Sequence, residues 1–134
     1  MPVVREEILA IGTSADVVSV RQLVRRVAQD LRLSLVDQTK IVTAASELAR
    51  NTLEHGKGGT CRVEVVDDAP RAGIRLTFED RGPGIANVEL ALQDGYTTGG
   101  GLGLGLGGAK RLVNEFAITS TPGKGTRVTV TRWR

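Results

Sequence analysis

The sequence predicts an α+β fold, an α/β sandwich whose mixed, mostly antiparallel sheet is covered on one face by helices. Three observations carry this. Two amphipathic helical stretches follow one another directly, stretches of alternating polarity are joined by short turns, and a glycine-dense loop leads into one more helical stretch. With 134 residues, no internal repeat and no linker, the chain reads as a single domain over 1–134.

Residues 3–11 are short and β-branched with Gly12 and Ser14 after them, which predicts an opening strand. Between 16 and 31, Val17, Val20, Val24, Val27 and Leu31 recur at helical spacing while Arg21, Arg25 and Gln29 take another face. Ser34 with Asp37 three residues later resembles a capping box with a shortened acid. It opens a second helix through Glu54, marked by Ile41, Ala45, Leu48 and Thr52 and ended by the glycines of HGKGG. Cys61, Val63 and Val65 alternate with Arg62, Glu64 and Val66, and Ile74, Leu76 and Phe78 alternate with Arg75, Thr77 and Glu79. These are two strands joined by the turn DDAPRAG. A third helix is expected with the apolar face Leu106, Ala109, Leu112, Val113 and Phe116. Strands at 117–121 and 126–133 then pair across the turn PGKG.

Aromatic residues are only 3% of the chain, so the core must rest on Val, Leu, Ile and Ala. The formal charge is +3, but the arginines are dispersed, and Phe78, Tyr96, Phe116 and Trp133 lie too far apart to interleave with a basic stripe. Nucleic acid is therefore not an expected partner. One cysteine, Cys61, leaves no intramolecular disulfide and no multi-cysteine metal site, and on a strand it reads as packing. No signal-like or membrane-spanning apolar run is present, so a cytoplasmic location and no membrane partner are expected.

Four features carry chemistry. Glu47 and Asn51 are one helical turn apart and share a face, where a carboxylate beside an amide oxygen suits a site holding Mg²⁺; alone, the pair reads rather as a solvated helix face. DRGPGI follows a strand, so Asp80 could accept from a purine amino group while Gly82 and Gly84 admit close backbone approach; alone, this is a turn. In the run 99–108, Gly101, Gly103 and Gly105 alternate just ahead of a helix, which suits backbone amides folded around phosphate, or a hinge. Neither a Walker loop nor a dinucleotide fingerprint is present. GKGT sets Thr126 at a strand start, in itself an ordinary hairpin.

In this order ELARN, DRGPG, GLGLGLG and GKGT resemble the four motif boxes of the GHKL ATP-binding fold shared by gyrase, Hsp90, histidine kinases and MutL, from about Ser34 onward. That resemblance implies a Bergerat-type ATP-binding fold with ATP and Mg²⁺ as cofactors. It implies Glu47 as general base, Asn51 as the Mg²⁺ ligand and Asp80 as the adenine contact. Gly82 and Gly84 would shape the adenine pocket, Gly101, Gly103 and Gly105 would cover the phosphates, and Thr126 would add a contact near the base. His55, one further turn along from Asn51, stands where the family often has a basic residue; it is read as a phosphate contact or as a partner of the helix dipole. Within the family, SELARN and DGYTTGGGLGLGLGGAKRLVNEF are similar to the small serine/threonine kinases of bacterial partner switching, the RsbT type found with stressosomes, more than to anti-sigma factors. Leu104 and Gly107 depart from the pattern, where a small residue and a proline are expected, and the lid at about 86–98 is short.

The resemblance implies a Mg-ATP-dependent serine/threonine-protein kinase acting on a STAS-domain antagonist, with an output phosphatase or other effector as a second partner, in a stress-response switch. The alternative is an ATP-controlled binding module, an anti-sigma factor or phosphatase activator that moves no phosphate. A detached histidine-kinase ATP domain is disfavoured, since no dimerising phospho-acceptor helix fits this length.

Overall fold

The structure, a computed structural model, describes residues 2–92 and 105–134. In chain order the elements are β1 (Val3–Ile11), α1 (Ser14–Asp30), α2 (Leu35–Glu54), β2 (Gly59–Asp68), β3 (Arg71–Asp80), α3 (Val88–Ala91), α4 (Gly105–Arg111), β4 (Glu115–Thr121) and β5 (Gly125–Trp133). The α+β sandwich forms as expected. Its five strands run in the order β1-β2-β3-β5-β4, and every described pairing is antiparallel.

Both long helices begin where side chains satisfy otherwise orphaned amides. At α1 the capping box is complete: Thr13 Oγ1 accepts from the Asp16 amide at 3.2 Å, and Asp16 Oδ2 accepts from the Thr13 amide at 3.0 Å. At α2, Ser34 Oγ accepts from the Asp37 amide at 3.1 Å. The carboxylate of Asp37, expected to close that box, instead takes Arg132 Nη2 of β5 at 2.6 Å. The pair therefore ties the first turn of α2 to the sheet.

Register sorts the sheet into two faces. Cys61, Phe78, Val128 and Ile118 lie in one cross-strand row, and Val63, Leu76, Val130 and Phe116 in the next; α1 and α2 pack over them through Val20, Val24, Val27, Ile41, Ala45 and Leu48, all but fully buried. The opposite face carries polar pairs: Glu64 with Arg75 at 3.0 Å, Glu79 with Arg127 at 3.4 Å, and Thr77 with Thr129 at 3.5 Å. That two-sided pattern is why the strands alternate in sequence.

Two local expectations change. The β2–β3 turn is tighter than DDAPRAG, because the strands run on to Asp68 and resume at Arg71 around a cis Ala69–Pro70 bond. The third helix stops at Arg111, so Phe116 is not on a helical face but on β4, opposite Val130. Gly105, Gly107 and Gly108 supply three of the seven residues of α4; Gly105 opens it at φ +58°, where glycine is favoured, Gly107 and Gly108 each cost about 1 kcal/mol against alanine, and the helix holds by packing on α2. Gly107, where the family pattern suggested proline, is buried there; Leu104 and most of the lid after α3 fall outside the described residues.

Candidate functional site

A cavity of about 410 Å³ opens between the C-terminal half of α2, the ends of β3 and β5, the segment around α3 and the start of α4. Each wall follows from an element's period. Along α2, Leu48, Asn51, Thr52 and His55 lie at positions i, i+3, i+4 and i+7 and line one side. Asp80 lies two residues beyond Phe78, so it shares the helix-covered face, as Thr126 does two residues before Val128, and all four line the cavity. Ile85, Leu90, Ala91 and Leu106 make the remaining surface apolar.

Asp80 is held by its neighbours. Its Oδ1 accepts from the Gly82 amide at 2.9 Å and from the Thr126 amide at 3.3 Å, and among the described residues Oδ2 takes no protein hydrogen bond. Three glycines from separate turns close around it. A Cβ on Gly56 would strike the Asp80 carboxylate, one on Gly82 would come 2.7 Å from the Gly56 Cα, and one on Gly125, at φ +119°, would strike the Asp80 carbonyl oxygen. Gly84 turns the chain at φ +75° against the Thr121 carbonyl. The turn is then pinned by Gly123 N donating to the Pro83 carbonyl at 2.7 Å and by Ile85 N donating to Ser120 Oγ at 2.7 Å. Ser120 Oγ in turn lies 2.8 Å from Thr126 Oγ1.

Of the residues singled out in the sequence, Asn51, His55, Asp80, Gly84, Gly105 and Thr126 line this cavity together. Gly82 does not; it packs on Gly56 and holds Asp80 through its amide. Gly101 and Gly103 lie outside the described residues. Glu47 is not a solvated surface residue, being only 4% exposed, and it stands just behind the lining. At 100° per residue it falls roughly 40° around α2 from Asn51. The cation beside it is Arg50, whose Nη1 is 3.6 Å from Glu47 Oε1. Cys61 is fully buried, and burial pushes its thiol up to about 12, so it is a packing residue. Gly56, Gly125 and Ser120 were not read as site residues. HGKGG and GKGT each signal a turn, and nothing in their spacing says that both pack against Asp80.

The cavity suits a nucleotide. Its volume lies in the range of small-molecule sites, its walls are mainly apolar with few polar groups, and a free carboxylate oxygen on its floor matches an exocyclic amino donor. Asn51 offers a side-chain oxygen that no described residue occupies, the kind of single protein ligand that Mg²⁺ combines with waters and phosphates. Residues 36–133 match the family described as histidine kinase-, DNA gyrase B-, and HSP90-like ATPases. The chain belongs to this family. It is 44% identical over 123 residues to the serine/threonine-protein kinase RsbT of Bacillus subtilis (strain 168), covering 92% of each chain. It is also 31% identical over 118 residues to an anti-sigma F factor of Thermoanaerobacter, covering 84% of this chain and 82% of that one. The crystal structure of the RsbU and RsbW domains of a Mycobacterium tuberculosis protein superposes with a TM-score of 0.64 at 25% identity, covering 96% of this chain and 33% of that longer one. The chain is thus an ATP-using enzyme of the serine/threonine-protein kinase kind, related to partner-switching proteins.

Proposed function

We propose that this chain is a Mg-ATP-dependent serine/threonine-protein kinase that phosphorylates a STAS-domain antagonist, acting as a switch in a cytoplasmic bacterial stress pathway. The observation that carries this reading is the juxtaposition of Asp80, on its glycine-built floor, with Asn51 on the facing turn of α2 and Glu47 one turn behind. Asp80 accepts from the adenine amino group through the oxygen left free by Gly82 and Thr126. Thr126 stands beside the base, and Gly82 and Gly84 bring the backbone close. His55 and Gly105 face the polyphosphate, joined on motif grounds by Gly101 and Gly103. Asn51 holds Mg²⁺, which would neutralise charge on the phosphates. Glu47 takes the proton of the partner's hydroxyl as that oxygen bonds to the γ-phosphorus, and ADP leaves with the electrons of the broken P–O bond.

The anti-sigma relatives favour a second reading, an ATP-controlled binding module, to which the burial of Glu47 is also suited. An incubation with Mg-ATP and a panel of STAS-domain proteins, read by intact mass, separates the two. Phosphate on a STAS serine or threonine supports the kinase. Binding that depends on ATP, with no added mass on any partner, supports the module.

A further inference from the structure

We infer that Arg50 is the positioning residue for Glu47, holding one carboxylate oxygen so that the other is presented toward the cavity; this rests on the kinase reading above. Glu47 is only 4% exposed, buried acidic side chains are ordinarily paired, and Arg50 is the one cation in ion-pair reach of it among the described residues. The placement on α2 is one-sided. Arg50 stands roughly 60° from Glu47 around the helix, on the side away from Asn51, and does not line the cavity. Among the described residues, its link to the site is through Glu47.

The contact is also incomplete. A charge-assisted N–H···O bond closes to about 2.7–2.9 Å, whereas this pair stands at 3.6 Å, and Arg50 Nη1 is buried with no hydrogen-bond acceptor. A buried donor left unmet beside a buried acceptor is a pair set to tighten. Catalytic contacts are often long until substrate is bound, and closing this one fixes the carboxylate's orientation when the partner's hydroxyl arrives.

The test is a double-mutant cycle with Arg50→Met, Arg50→Lys, Glu47→Gln and the Glu47→Gln/Arg50→Met pair, on the full chain with a phosphorylatable STAS partner. Arg50→Met should lower the transfer rate on the order of 10²-fold, the usual cost of a misplaced reacting group, with ATP affinity by calorimetry at the parental value. Arg50→Lys should recover part of the rate. In the Glu47→Gln background, Arg50→Met should change the rate by less than about twofold, because its target is already gone. Melting of the nucleotide-free proteins gives a readout independent of turnover: Arg50→Met should melt lower, and the double variant should regain part of the loss, since glutamine needs no buried cation. Effects that multiply in the double variant, or an ATP affinity that falls with the rate, would overturn the assignment. A parent that transfers nothing to any partner removes the kinase reading and this role with it, an outcome separate from a parent that transfers and a cycle that is additive.

Discussion

Asp80 owes its position to three glycines as much as to its own hydrogen bonds. Two backbone amides use one oxygen and leave the other for a ligand. In Asp80→Asn the amide oxygen can keep both backbone bonds, so the fold should persist, but an NH₂ group then meets the adenine amino group donor to donor. Losing a charge-assisted bond of this kind costs about 1.5–3 kcal/mol, so ATP affinity by calorimetry should fall about 10- to 100-fold at an unchanged melting temperature. Unchanged affinity would take adenine away from Asp80. Gly56 makes the complementary case, since a methyl there would occupy the place of the Asp80 carboxylate. Gly56→Ala should lower both melting temperature and ATP affinity, and a variant with parental values of both would show that the glycine floor is not needed.

At the scale of elements, side-chain chemistry at the ends decides where the helices start and what they touch. Thr13→Ala removes one arm of the α1 box and should cost about 1 kcal/mol in a denaturant melt, with ATP affinity untouched because α1 does not line the cavity. Asp37 links α2 to β5, and its hydrogen bond from Arg132 holds its carboxyl below the usual carboxylate range against the opposing cost of burial. A carboxyl depressed in the folded state adds stability above its unfolded pKa and loses it as pH falls through the folded one. The melting gap between parent and Asp37→Asn should thus be full at pH 7 and shrink below about pH 4; a gap independent of pH would mean that the ion pair contributes nothing. Periods of two and 3.6 made α1, α2, β2 and β3 legible in the sequence, because each has one buried face, whereas β1, buried only at Ile11, was marked by its β-branched run and the turn residues after it. Phe116 was misread because Leu112 and Val113 prolong a helical spacing past Arg111, and only the pairing with Val130 shows that the chain has become a strand. The contact of the Gly56 and Gly82 turns was not legible, since close packing of two glycines leaves no periodic trace.

For the molecule as a whole, the sheet and α2 bring together motifs spread from Glu47 to Thr126, and the proposed function assigns binding and transfer to separate parts of the site. Mg-ATP that binds only the folded chain should raise stability by about 2.7 kcal/mol at 100 times its dissociation constant, read as an upward shift of the melt. Chelating the metal should reverse most of that shift if Asn51 holds Mg²⁺; a shift unchanged by chelation would leave Asn51 without that role. Glu47 is buried behind the lining while Asp80, Asn51 and Thr126 line the cavity, and the proposed division between binding and transfer rests on that difference. The direct measurement is phosphoryl transfer by Glu47→Ala to a STAS partner under single turnover, with Mg-ATP affinity taken on the same preparation. Parental affinity with transfer reduced about 10²- to 10⁴-fold is the predicted result, and transfer at the parental rate would contradict it.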